Sequence, residues 1–418
     1  MPLFHPLLFM MTVTSSPSDP CTGPLSRAAV VDCAAASSPR IVAARASVDA
    51  ARGLSDAARV ILPSNPTVSF TVGQRWNTND DRALNVAGTL SQRLEISGQR
   101  RQRKDAADAL VAQREGGLEA STRDVIARAL LAYYDVLAAR AELVVISQGH
   151  DTALQMQEVA RARATAGLGM PLDTDLAAAE VAALQEQQAL ATGAVRAAEA
   201  RLASALGLDP AGSLPDVLGD LSPVDVPKDL AVSTQSAAAR PELAQQRAQT
   251  QQAQAELALL RRGRVPSPAL SIFAQTDGFN ERVIGGGLSM PIPLPFPLGR
   301  TNKGEIDGAR ARIEESSARL ASTQRRVTLE ATAAFHDYEA HKSAANAYRP
   351  DAESSARASL DTLASEIERG TLPVRDALLT QHALLRMLLR AVESKHGLCR
   401  ASVALSLAAG HPLQEGAP

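Results

Sequence analysis

The chain has 418 residues, with 43 lysines and arginines against 45 aspartates and glutamates. That balance, with no long like-charge block, argues against nucleic-acid binding through a basic face. Aromatics make up 3%, too few for an ordinary compact core. Abundant alanine instead suits closely packed long helices, and no apolar run approaches the roughly 20 residues of a membrane-crossing helix.

Residues 1–26 read as a degenerate signal or N-terminal segment. Leu7–Met11 is apolar, but no Lys or Arg precedes it and no small-x-small cleavage site stands out. Cys21 and Cys33 lie twelve residues apart. They either pair in an exported chain or stay two thiols, and the spacing leaves both readings open. Cys21 follows Ser18-Asp19-Pro20, which is not a lipidation sequence. Cys399 reads as a small buried hydrophobe on a helix face.

Residues 27–62 read as one helix or two, restarting at Ser38-Pro39, because proline suits the first helical position. Residues 67–76 then alternate: Val68, Phe70 and Val72 share one face, Ser69, Thr71 and Gly73 the other. After a polar turn, Leu84, Val86, Leu90, Leu94 and Ile96 continue the period of two. A tilted strand of about 9–11 residues spans a bilayer. Residues 99–165 lack proline, and Ile126, Leu130, Tyr133, Leu137 and Val144 form a coiled-coil seam. A glycine turn at 166–171 leads to a return helix, 174–206.

Residues 208–238, with four prolines, read as a linker. The pattern then repeats about 201–202 residues later. Pro39 returns as Pro241, Pro66 as Pro268, Gly98 as Gly299, and Gly169, Asp175 and Glu180 as Gly370, Asp376 and Gln381. Leu270, Ile272 and Ala274 alternate with Ser271, Phe273 and Gln275. The following run through Gly286 and Leu288 ends in Pro291, Pro293, Pro295 and Pro297, which cannot sit in a central ladder. Residues 301–369 read as a second long helix containing Pro350, followed by a turn at 369–373 and a return helix, 374–409. A period this long is a duplicated half-molecule, not a solenoid unit. The expected organisation is 27–207 as the first repeat, with strand hairpin 67–97 and helical hairpin 99–206. Segment 208–238 links it to the second repeat, 239–410, with strand hairpin 269–297 and helical hairpin 300–409. Residues 411–418 form a tail.

Four strands per chain cannot close a barrel, and an open sheet leaves unpaired edges that lipid does not tolerate. Duplicated halves, each a strand hairpin followed by a very long helix and a glycine-turn return, resemble the TolC-type outer-membrane efflux proteins over roughly residues 27–410. In detail the chain is similar to the CzcC-like outer components of heavy-metal RND exporters. The resemblance implies a mainly α chain with a small β part: long antiparallel coiled-coil hairpins forming a tunnel, and four strands contributing to a trimeric 12-stranded β-barrel. It implies a homotrimer in outer-membrane lipid with a periplasmic extension, docked on a periplasmic adaptor (membrane fusion protein) and an inner-membrane transporter. Such a duct conducts heavy-metal cations or drugs passively. It also implies a structural Cys21–Cys33 disulfide.

By position, the resemblance makes Asp173, Asp175, Glu366, Glu368 and Asp376 candidates for a periplasmic gate. Ordinary helix capping would also explain the aspartates. Gly167, Gly169 and Gly370 are candidates for an adaptor-docking turn, or simply turns that need small residues. Trp76 and Phe296 are candidates for an interfacial aromatic girdle. The seven histidines are scattered without metal-ligand spacing, no catalytic constellation recurs, and neither a cofactor nor an enzyme activity is expected. A soluble or periplasmic coiled-coil scaffold is the rival reading, but it leaves the duplicated strand pairs unexplained.

Overall fold

The structure, a computed structural model, describes residues 21–76, 78, 82–209, 214–276, 281–292, 294 and 302–413. Leu7–Met11, Pro293, Pro295, Phe296, Pro297 and Gly299 lie outside the described residues. The elements run α1 (Arg27–Ser37), α2 (Pro39–Arg59), β1 (Thr67–Trp76), β2 (Arg82–Arg93), α3 (Gln99–Thr165) and α4 (Pro171–Leu206). Then come α5 (Leu230–Ala237), α6 (Pro241–Arg262), β3 (Ala269–Thr276), β4 (Arg282–Ser289), α7 (Lys303–Asn346), α8 (Pro350–Glu368) and α9 (Val374–Ala409).

Proline opens α2, α4, α6 and α8, where its missing N–H is no loss. α3 is a single helix of 67 residues, about 100 Å long at 1.5 Å per residue. Its counterpart differs from the sequence expectation. α7 stops at Asn346, and α8 starts anew at Pro350, because proline lacks the donor and clashes with the preceding turn. The linker also contains a short helix, α5, whose Asp229 side chain accepts from Val232 N–H at 2.8 Å.

The strands form one antiparallel sheet in the order β1-β2-β3-β4. The register places Val68 opposite Leu90, Leu90 opposite Ile272, and Leu270 opposite Leu288. One face is therefore apolar, and the other carries Ser69, Thr89, Ser91, Ser271 and Gln275. The apolar face is bare: Phe70 is 79% and Ile284 86% exposed. Phe273 faces Gly285 across the ladder, and a Cβ there would lie 2.6 Å from the ring. That glycine is set by the aromatic covering it. β4 ends before the prolines, and Met290–Ile292 carry no ladder.

α3 is the spine. Its upper part packs against α2 and α6, and its lower part against α4, α8 and α9. At mid-height Tyr133 and Tyr134 donate their hydroxyls to Leu218 O (2.8 Å) and Ser222 O (2.7 Å), strapping the linker across the spine. Gly219 at φ 140° permits this, since a Cβ would lie 2.0 Å from the Tyr133 hydroxyl. Leu25 bridges to Val217, and a disulfide joins Cys21 to Cys33. Buried Arg240 pairs with Glu242 (2.8 Å) and Glu330 (2.7 Å). Burial alone would raise both carboxyls, but the guanidinium outweighs it and holds them below the usual range.

Candidate functional site: the helical tip

The two helical hairpins end side by side. α3 closes on Gly167 in the left-handed conformation (φ 71°), and Leu168 N–H donates to Arg163 O at 2.8 Å. α8 closes the same way on Gly370 (φ 73°), with Thr371 N–H donating to Glu366 O at 3.1 Å. Both are Schellman turns, in which a residue without Cβ takes the strained position and the last carbonyls find donors. Gly169 does not take this role.

Counted from these turns, the correspondence between halves shifts from the sequence repeat. Gly167 matches Gly370, Pro171 matches Val374, and the first-turn acids are Asp173 and Asp376. Asp175, the sequence counterpart of Asp376, sits half a turn further along α4. A related substitution occurs at the tops of the long helices. Gly98 (φ 78°) precedes α3, and Asn302 (φ 52°) takes the left-handed position before α7. Asparagine is among the few residues that tolerate it.

Arg163 ties the two tips together. Its guanidinium donates to Ile367 O (3.1 Å) and Glu368 O (3.4 Å) across the hairpins, and to Leu168 O (3.4 Å) in its own turn. Beside it Asp173 approaches Arg375 at 4.0 Å. A cavity of about 400 Å³ opens between the turns, lined by these three side chains and by Met170, Leu372 and Val374. Higher up, Glu180 on α4 pairs with His382 on α9 at 2.8 Å. The Gln381 side-chain amide donates to Gly149 O at 2.7 Å. Gly149 lets the helices approach, because a Cβ would lie 2.7 Å from Leu385.

The structure brings together only one of the gate candidates with an opposing charge from the other hairpin, Asp173. Glu366 bonds within its own turn to Arg369 and Thr371. Asp175, Glu368 and Asp376 are exposed, and their side chains make no ion pair or hydrogen bond among the described residues. Around them the tip is apolar: Leu168, Met170, Leu172 and Leu379 all stand in solvent.

Arg163, Arg375 and the Glu180–His382 pair escape sequence reasoning. A cation at the last turn of a helix is an available signal for Arg163. Which hairpin it reaches is not. His396 likewise contacts a carboxylate: its Nε2 lies 2.9 Å from Asp135, which Arg400 also contacts at 2.8 Å. Burial pushes the Asp135 carboxyl up, but the His396 and Arg400 contacts outweigh it and leave it below the usual range. Among the described residues no three His, Cys, Asp or Glu converge as a metal site, and no helix is long and apolar enough to cross a membrane.

The "Outer membrane efflux protein" family matches residues 30–208 and 232–411. Protein CyaE of Bordetella pertussis is 30% identical over 273 residues, 62% of this chain. That match spans 58% of the relative's own length. Among solved structures, CusC superposes with a TM-score of 0.75 at 18% identity, covering 92% of this chain and 91% of that one. The open state of the Neisseria gonorrhoeae MtrE outer membrane channel gives 0.76 at 17% identity, covering 93% and 89%. At these identities the likeness is one of fold.

Proposed function

The chain belongs to the outer membrane efflux protein family, and on that footing we propose that it is the outer-membrane exit duct of a tripartite exporter. The observation that carries this reading is the sheet. It has an apolar face exposed to no protein, two unpaired edges, and a very long helical hairpin hanging beneath it. Lipid accepts strands only in a closed ring. Three copies of a four-stranded sheet make a ring of 12, with β4 of one chain against β1 of the next. The two repeats, 27–207 and 239–410, then each supply one strand pair and one helical hairpin per chain.

The tip is the periplasmic gate and docking end. Asp175, Glu368 and Asp376, exposed and repeated threefold, focus a negative field at the mouth, with Asp173 and Glu366 held in reserve by Arg375 and Arg369. The apolar rim around Gly167, Gly169 and Gly370 is where a periplasmic adaptor grips, and the inner-membrane pump supplies the energy. Heavy-metal cations or drugs are the proposed cargo, and the CzcC-like branch the proposed affiliation.

Fractionation tests the reading. The expected result is a heat-modifiable trimer in the outer-membrane fraction that forms ion-conducting pores in planar bilayers. A soluble chain without conductance would favour the scaffold reading. Sensitivity of a deletion strain to a panel of metals and drugs identifies the cargo.

A further inference from the structure

The helices meet the strands at one level of the fold, and the charge there departs from the chain's near-neutral balance. α2 ends on Arg59, and β2 ends on Arg93. α3 opens with Arg100, Arg101, Arg103 and Lys104, and α6 closes on Arg261 and Arg262 with Arg264 just beyond. The only acid in segments 59–66, 93–104 and 261–268 is Glu95, already paired with Arg103.

Part of this charge has internal work. Arg100 and Arg103 donate to carbonyls at the end of α2, and Arg262 to Ser97 O. Arg59 pairs with Asp108. Arg93, Arg101, Lys104, Arg261 and Arg264 are exposed; the Arg101 side chain is 85% so and, among the described residues, approaches only Asp105, one turn along α3, at 4.0 Å. Arg261 suits the last turn of α6, but helix stability does not explain Arg101 and Lys104, because cations in the first turns of α3 oppose its dipole.

The same level carries bare apolar side chains. Val60, Ile61 and Leu62 form the connector into β1, with Ile96 before α3 and Val265 before β3, all exposed. Apolar groups of this kind do not suit the wall of a water-filled duct. Along the chain they lie between the strands and the helices. Exposed apolar groups interleaved with long cations are what a membrane interface accepts, the apolar part at the acyl boundary and the cation at the phosphates.

We propose that this band binds the anionic phosphodiester headgroups of the lipid leaflet nearest the helices, as a belt that fixes the depth of the barrel. The proposal rests on the membrane-duct reading above. Each protomer contributes its own arc, and in a trimer the arcs form a closed ring.

The test uses the full-length protein in non-ionic detergent micelles, with phosphatidylglycerol and phosphatidylcholine competing for a fluorescent phosphatidylglycerol probe. The expected result is a preference for phosphatidylglycerol of about tenfold at low salt, fading as salt is raised. The variant R101Q/K104Q/R261Q/R264Q should lose that preference, while R101K/R261K/R264K should keep it. Equal binding of the two lipids by the wild-type protein overturns the proposal, and that titration needs no variant to fold. A glutamine variant that keeps its lipid preference but changes the ion selectivity of the pore also overturns it, by placing the cations in the lumen. The micelle assay judges headgroup preference wherever the chain is found. A chain absent from the outer-membrane fraction refutes the duct reading separately.

Discussion

Replacing Arg163 by glutamine should loosen the tip without unfolding the hairpins. The guanidinium makes two charged donations to the end of α8, to Ile367 O and Glu368 O. It is only half-buried, so the usual 1.5–3 kcal/mol for a charged hydrogen bond must be discounted for competing water. About 1 kcal/mol per protomer is a fair figure. If three tips part together, the loss is about 3 kcal/mol, or roughly 150-fold in the ratio of open to closed states. Single-channel recording in planar bilayers reads that ratio as open probability. Arg390→Gln is the control, because its partner Glu393 lies one turn away on the same helix. An Arg163 variant whose open probability matches that control would show that the hairpin link does not hold the tip shut.

Gly219→Ala should destabilise the fold by about 3 kcal/mol or more, because the added methyl meets both the Tyr133 hydroxyl and a left-handed backbone. Gly193→Ala, in open space on α4, should stabilise by about 0.5–1 kcal/mol; denaturant melts of the two variants check both signs. Reducing Cys21–Cys33 or replacing both by serine should cost up to about 3 kcal/mol, the value for closing a short loop, read as a lower melting temperature that reductant reproduces only in the wild type. Asp135, Glu242 and Glu330 titrate below the usual carboxylate range in the folded chain. Their contribution is therefore complete above the unfolded values, about pH 4–4.5, and is lost as pH falls through the depressed folded ones. Arg240→Gln should flatten the acid limb of the stability–pH curve, and an unchanged limb would exclude that cluster as its source.

Much of the architecture is legible because it is written in periods. Val68, Phe70 and Val72 alternate since one face of the sheet is apolar and the other polar, and Ile126, Leu130, Tyr133 and Leu137 keep a seam since α3 must pack; Val144 breaks it, standing exposed while Val145 is buried. Positions set by turn geometry are less so. A residue-by-residue repeat aligns Asp175 with Asp376, while the helix starts align Asp173 with it; α4 and α9 are both 36 residues long and close on Gly207 and Gly410, so the offset set at the turns holds to their ends. Arg163 looks like any last-turn cation until the rotation of α3 against α8 is known. The linker offered only prolines to read, so neither α5 nor the two tyrosine straps was visible in it.

Pro350 gives the two halves different mechanics. Bending α3 anywhere along its 67 residues means breaking hydrogen bonds of a continuous ladder. Between α7 and α8 that ladder is already interrupted: Ala347 and Tyr348 donate in tight turns to Ala344 O and Ala345 O, and Pro350 has no donor to lose. One column is a rigid strut and the other a strut with a fulcrum about 20 residues above its tip. α9, unbroken over 36 residues, runs past the level of that break and pairs with the start of α8 through Lys395 and Glu353. The duplicated chain thus carries one unbroken column and one jointed column cut from the same pattern, told apart by one proline.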